Sequence, residues 1–279
     1  MAQWLLGWDA TQFLSSASEE PRATFQARYD ALITRRAERE PMAYLFRGRE
    51  FWGLMFEVTP AVLIPRPETE IIVEAVLELF PEAQAPLLIA DVGTGSGCLA
   101  VALATERPSA RVLATDISVD GSLVAQQNAT RHGVADRVLF CSANLFPEDH
   151  ASSFEAFDLI VSNPPYVPDG DRATLQPEVR DYEPAQALFA GPDGLDVIRR
   201  LIPSAAARLK NGGYLIFEIG AGQDAAVHEL ISRTPGLRMI GLRNDLQGIP
   251  RTVVAQRVSN GRLSVLQDHP ARDSGQDRL

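Results

Sequence analysis

The chain reads as an α/β protein: a doubly wound, mostly parallel seven-stranded sheet with an antiparallel edge hairpin, preceded by a small helical domain. Two observations carry that reading. From about residue 67 onward, short apolar runs of strand length alternate with segments of helical period, the pattern of consecutive βαβ units. The last two apolar runs, 237–242 and 252–258, have no helical crossover between them, so they are expected to pair antiparallel at one edge.

Taken in order, residues 1–41 form the helical domain. Phe25, Tyr29, Leu32 and Ile33 recur at helical spacing, and Arg35, Arg36 and Arg39 gather near its end. Residues 42–66 read as a linker with a β-hairpin, whose aromatic and β-branched positions are broken at Arg47-Gly48 and at Leu54. Phe51 and Trp52 are expected in the core of that hairpin. Glu68-Thr69-Glu70 opens a helix with acids at its positive end and an apolar stripe of Ile72, Val76 and Phe80. Arg66 and Glu68 are read either as a structural ion pair and cap or, equally, as shaping a substrate entrance. The main domain spans 67–258, with strands at 87–92, 111–115, 137–142, 157–162 and 214–219 before the final pair. Residues 259–279 are polar with little to bury and are expected to be a disordered tail.

Composition narrows the function. With 279 residues and 46% hydrophobic content, the chain can hold one sizeable core and a small accessory domain. A net charge of -10 argues against a protein that grips a nucleic-acid backbone, which needs a basic stripe. Cys98 and Cys141 make neither a metal spacing nor a disulfide framework, which fits a reducing cytoplasm. His132, His150, His228 and His269 are scattered, so no metal site is expected. Thr94 stands where a nucleophile elbow needs Gly, and no Gly-Lys-Ser or Gly-Lys-Thr is present, so hydrolase and P-loop chemistry lack support. The start lacks the basic and apolar regions of a signal peptide, and no apolar run reaches the length of a membrane span.

Two motifs carry chemistry. The strand 87–92 runs into Gly93-Thr94-Gly95-Ser96-Gly97 and then a helix over 98–106 that stops before Pro108. Such glycines let the backbone turn sharply and let a ligand approach closely. The next strand ends at Asp116, at the distance where an acid can bind ribose hydroxyls. The G-x-G-x-G spacing fits a cofactor with a ribose and no pyrophosphate, which points to S-adenosyl-L-methionine. Further on, strand 157–162 ends in Asn163-Pro164-Pro165-Tyr166. Proline has no N–H, so this stiff turn offers acceptors and withholds donors, beside an aromatic face. A planar NH2 group suits it.

These blocks, together with Ile64-Pro65-Arg66-Pro67-Glu68-Thr69-Glu70, Arg49-Glu50-Phe51-Trp52-Gly53, Tyr182-Glu183-Pro184, Gly191-Pro192-Asp193-Gly194-Leu195 and Asp245 to Arg251, resemble the peptide chain release factor N5-glutamine methyltransferase family (HemK/PrmC). The resemblance spans roughly residues 40 to 255 in the family's order. It implies a class I methyltransferase fold that uses S-adenosyl-L-methionine and releases S-adenosyl-L-homocysteine. It implies a substrate glutamine in the Gly-Gly-Gln loop of class I peptide chain release factors, a cytoplasmic location and a monomer with no nucleic-acid or membrane partner. Glutamine methylation of a ribosomal protein and adenine-N6 methylation of nucleic acid are the alternatives that share the Asn-Pro-Pro-Tyr core.

By the same resemblance, Asn163 and Pro164 accept the two amide N–H groups, Tyr166 lies near the amide plane, and Pro165 completes the substrate contact. The cofactor falls to Gly93, Thr94, Gly95, Ser96, Gly97, Asp116, Asn144, Leu145 and Asn163. Asn144 stands where the family usually has Asp and is expected to reach the adenine amino group through its oxygen. Glu183 is expected to brace the long loop after Tyr166, and Arg251 to be structural. The helical domain that docks the protein substrate is shorter here than is usual in the family.

Overall fold

The computed structural model describes residues 1–15, 23–147 and 156–259. Four helices lead: α1 Ala2–Leu6, α2 Ala10–Ser15, α3 Ala23–Ala37 and α4 Met42–Phe46. A hairpin comes next, with β1 Arg49–Phe51 antiparallel to β2 Leu54–Phe56. The α/β part then runs α5 Glu70–Leu79, β3 Leu88–Val92, α6 Cys98–Glu106, β4 Arg111–Asp116, α7 Val119–Arg131, β5 Val138–Ser142 and β6 Phe157–Ser162. It closes with α8 Pro177–Arg180, α9 Asp196–Ala206, β7 Leu209–Glu218, α10 Asp224–Ser232, β8 Leu237–Asn244 and β9 Pro250–Arg257.

The seven-stranded sheet has the order β5-β4-β3-β6-β7-β9-β8. Neighbours are parallel from β5 to β7, while β9 is antiparallel to both β7 and β8. The doubly wound sheet with its antiparallel edge hairpin is therefore the architecture the sequence predicts. Side chains alternate across it with the period of two that strands impose. Ile89, Leu159, Val161 and Ile216 join one apolar cluster with Ile72 and Val76 of α5 and Leu99 and Leu103 of α6. Ala90, Val92, Ile160, Leu215 and Phe217 join the other, with Ile198, Leu201 and Ile202 of α9 and Val227 and Ile231 of α10. Covering both faces explains why these strands read as unbroken apolar runs.

β4 lies on one side of β3 and β6 on the other. The chain thus changes direction across the sheet at β3 and β6, and a crevice opens beyond their carboxyl ends.

The front of the chain departs from expectation in two places. Residues 42–46 are helical and precede the hairpin, with Pro41 before the first turn and Arg47 in the left-handed region after the last. The hairpin turn is at Trp52-Gly53, not at Leu54, and both residues have positive φ, 53° and 67°. A two-residue turn of that hand matches strand twist, but it normally draws Asn or Gly, so Trp hid it. Tertiary contacts hold it. Trp52 N donates to Glu70 at 2.8 Å, and its indole N–H to Glu106 at 2.8 Å. Phe51 is fully buried and Phe80 only partly so. The helix expected to open at Glu68 is preceded by a 3₁₀ turn over Pro67–Thr69. Arg66 pairs with Glu183 and not with Glu68. The strand expected over 214–219 starts earlier, at Leu209, so that β7 takes in Gly212 and Gly213, where pairing with β6 shifts register. The expected tail lies almost wholly outside the described residues.

The helical front is tied to the main domain by Arg36 of α3 and Arg39 just after it, both paired with Glu178 of α8, and by Tyr182, whose hydroxyl donates to the Glu38 carbonyl at 2.6 Å.

Gly97 sits where α6 begins, at φ +81°, and a Cβ there would stand 3.0 Å from the Ala125 Cβ of α7. Gly97→Ala should therefore destabilise the chain by about 1–3 kcal/mol through overpacking against α7. Urea denaturation checks this, and an unchanged midpoint would refute the close-packing role.

Candidate active site at the carboxyl edge of the sheet

The loop after β3 is placed by its neighbour strand. Gly93 N and Thr94 N both donate to the Thr115 carbonyl of β4, at 2.8 and 2.9 Å. Gly95 N donates to Asp116 Oδ2 at 2.8 Å, and Ser118 N to Asp116 Oδ1 at 2.8 Å. Asp116 thus orders the loop and keeps a lone pair on each oxygen for a ligand. From below, Asn128 of α7 donates to the Ser96 carbonyl at 2.8 Å and exchanges bonds with the Glu57 backbone. Asn128 was not expected here, and nothing in its helical context marks it.

Asp91, at the end of β3, is fully buried. Its Oδ2 accepts from the Thr94 hydroxyl at 2.6 Å and from Ala100 N at 3.1 Å, while Oδ1 has no partner among the described residues. Burial pushes its carboxyl up to about 7, against the pull of those two bonds and with a smaller upward push from Asp116.

A cavity of about 230 Å³ opens between these elements; by the same measure a water needs only about 10–15 Å³. Gly93, Thr94, Gly95 and Ser96 line one side, and Asp116 with Ile117 a second. Asn144 and Leu145 line a third, and Asn163, Pro164 and Pro165 face them with Thr69. Chain neighbours aside, no atom of the described residues lies within 4 Å of where a Cβ on Gly93 or Gly95 would stand.

Two of the expected residues are absent from this lining. Gly97 packs on Ala125 instead. Tyr166 also stands off: its ring packs against the apolar cluster under α9, and its hydroxyl donates to Glu218 Oε1 at 2.9 Å. Its carbonyl accepts from Gln223 Nε2 at 3.0 Å, and any side chain on Gly194 would overlap that carbonyl oxygen. Tyr166 therefore anchors the turn instead of walling the cavity. Asn144 does line the cavity, and its Oδ1 accepts from Arg200 Nη1 at 3.1 Å, which leaves that oxygen one further lone pair. Leu145 has a positive φ of 72°, and its carbonyl accepts from the Thr115 hydroxyl at 2.6 Å. Glu183 accepts from Ile64 N at 3.1 Å and from Arg66, fastening the loop after Tyr166 to the segment before α5.

Asn163 Nδ2 donates to Thr69 Oγ1 at 2.9 Å, and the Thr69 hydroxyl donates to Glu218 Oε2 at 2.6 Å. Since Nδ2 is taken inside the protein, the Asn163 oxygen is left for the cavity. Glu218 is fully buried, and burial pushes its carboxyl upward, against the two hydroxyls and Arg251. Burial and the Glu218 charge likewise hold the Tyr166 phenol protonated, well above its ordinary range. The one signal that could have found Glu218 is a lone acid at the end of the apolar run Leu215-Ile216-Phe217.

Among known proteins, residues 69–178 match the family described as Methyltransferase small domain, and residues 1–46 match the PrmC N-terminal domain. The chain is 48% identical over 222 residues to the release factor glutamine methyltransferase of Geobacter sulfurreducens, covering 80% of this chain and 75% of that one. It is 42% identical over 255 residues to the release factor glutamine methyltransferase of Koribacter versatilis, covering 90% and 87%. Among solved structures, the 16S rRNA N2 G1207 methyltransferase of T. thermophilus shares the fold at TM-score 0.53 and 20% identity, over 76% of this chain and 50% of that one.

Asp91 titrates in the folded chain near 7, above the value of about 3.9 for an unfolded aspartate. Its contribution to stability is thus complete below the unfolded value and is lost as pH rises through the folded one. The melting temperature of the cofactor-free chain should fall between about pH 4 and pH 7, and Asp91→Asn should flatten that fall. Equal slopes in thermal melts of the two proteins would refute it.

Proposed function

The chain belongs to the release factor glutamine methyltransferases, and on that premise we propose that the cavity beyond β3, β4 and β6 is where a glutamine amide receives its methyl group. The chain is a protein-(glutamine-N5) methyltransferase that modifies the side-chain nitrogen of a release-factor glutamine. The Gly-Gly-Gln loop of a class I release factor is the substrate segment, entering as an extended peptide.

S-adenosyl-L-methionine fits the site on three counts. The backbone at Gly93 and Gly95 is open to close approach. Asp116 keeps acceptor capacity for ribose hydroxyls, and the buried Asp91 Oδ1 lacks a partner. Gly93, Thr94, Gly95 and Ser96 would hold its amino-acid end, Asp116 its ribose, and Asn144 with Leu145 its base. When bound it supplies an electrophilic methyl on a sulfonium sulfur and leaves as S-adenosyl-L-homocysteine.

An amide nitrogen is a weak nucleophile because its lone pair is delocalised into the carbonyl. Holding it in line is therefore the main task, worth up to roughly 7–11 kcal/mol in well-oriented systems. Asn163 Oδ1 and the Pro164 carbonyl accept its two N–H groups, and Pro164 and Pro165 contribute no competing donor. The nitrogen lone pair forms the new N–C bond, and the nitrogen's surplus proton leaves to water without a strong base. The observation that carries this reading is the Asn163 amide pinned through its NH2, with its oxygen left for the cavity.

A nucleic-acid substrate is disfavoured by the net charge of -10. No helix among the described residues is long and apolar enough to cross a membrane. We place the chain in the cytoplasm, as a monomer, where release factors act.

Asn163→Ala should lower kcat for methyl transfer to a class I release factor by about 10²–10³-fold, the loss seen when one preorganised polar contact is removed. Labelled methyl on the release factor measures it; labelling of ribosomal protein or DNA instead would overturn the substrate. Asp116→Ala should weaken cofactor binding by roughly tenfold or more, as loss of hydrogen bonds to a charged group predicts. Calorimetry with S-adenosyl-L-homocysteine checks this, and an unchanged Kd would remove Asp116 from the cofactor site.

A further inference from the structure

We propose that Glu218, acting through Thr69, decides which end of the Asn163 amide faces the cavity and so sets the preference for a carboxamide over a carboxylate as methyl acceptor. The inference rests on the assignment of a glutamine amide to this cavity. Glu218 itself is buried in the sheet beside Thr252 of β9 and is absent from the cavity lining, so it is a positioning residue.

The network has a fixed stock of donors and acceptors. An ionised carboxylate only accepts, and a threonine hydroxyl has one proton to give. Glu218 receives the Tyr166 proton on Oε1 and the Thr69 proton on Oε2. With its proton spent, Thr69 Oγ1 can only accept, and Asn163 meets it with Nδ2 at 2.9 Å. Asn163 Oδ1 is then the atom left to the cavity, beside prolines that cannot donate. The result is a wall that only accepts. An NH2 group satisfies it, whereas a carboxylate finds no partner and is repelled.

The same stock fixes how the network responds when the carboxyl takes up a proton. Tyr166 stays a donor, so the new proton sits on Oε2 and points at Thr69. The Thr69 proton is then free to turn to Asn163, and the bond survives only if the amide rotates to present its oxygen. Nδ2 would then face the cavity, and an acceptor site would become a donor site. Arg251 from β9 favours the ionised carboxyl, while Glu68 from the turn before α5 opposes it. Arg251 is itself paired with Asp245.

The test uses the full chain with release factor, and with short peptides carrying either glutamine or glutamate at the loop position. Transfer is measured across pH, and peptide Kd is measured with S-adenosyl-L-homocysteine present. Glu218→Gln keeps the shape but can donate to Thr69. It should lower kcat by about 10- to 100-fold, the scale of losing a partner that orients a functional side chain in metal sites, with little change in the Kd of S-adenosyl-L-homocysteine. It should also abolish the fall in wild-type kcat on acidification and narrow the preference for the glutamine peptide by about tenfold or more, since the wall would no longer only accept. Thr69→Val, which keeps the shape and removes the hydroxyl, should do the same and carries the test if Glu218→Gln fails to fold; Thr69→Ser should recover most of the loss. Wild-type kcat, acid limb and peptide preference in either variant would overturn the proposal. A wild-type chain that labels no release factor would overturn the functional reading instead, and the peptide affinities would still judge Glu218.

Discussion

Parallel pairing of β3 with both β4 and β6 brings three strand ends to one edge. The helices after those strands must leave on opposite faces, α6 over one apolar layer and α9 over the other. Where they part, a crevice opens beyond β3 and β6, lined by the backbone of the loops that follow them. The polar groups of that backbone must find partners locally or in a ligand. Thr115 of β4 supplies one answer, taking two N–H groups of the glycine loop on a single carbonyl. The position of that loop is therefore set by the strand beside it and not by the loop's own residues.

Around this edge the chain buries an unusual set of acids. Asp91, Glu183 and Glu218 all lie at or below 5% exposure, each held by hydroxyls, backbone N–H groups or an arginine. Burying a carboxylate costs several kcal/mol unless its lone pairs are met. Each of these acids spends that cost on positioning: Asp91 on Thr94 and the start of α6, Glu183 on the join between two distant loops, and Glu218 on Thr69 and Tyr166. Two of the three sit at the carboxyl ends of strands, where the sheet's regular pairing ends and a side chain can take over.

The reading of the sequence was good where local chemistry acts alone. The span of α6, the strand 157–162 and the turn after it emerge as read, because apolar runs and proline or glycine punctuation are local signals. It failed where distant groups decide. Nothing in Trp52-Gly53 announces a two-residue turn, since Glu70 and Glu106 hold it from other elements. The role given to Tyr166 came from its neighbours in the motif, but its hydroxyl has a stronger claim on Glu218, 52 positions away. Nor does the sequence show that Arg200, 56 positions away, shares the Asn144 oxygen and helps to fix where that side chain points.

By itself, then, the sequence determined the layer architecture, the glycine loop, the acid that ends β4 and the acceptor turn after β6. Periodicity, backbone propensity and the missing N–H of proline are properties of the residues themselves. Only the tertiary structure decided which way those groups point. An asparagine amide has two nearly equivalent orientations, and its own chain does not choose between them. Here the choice falls to Thr69, 94 positions away, and through it to Glu218, because a hydrogen bond is directional and its donor has a single proton to spend.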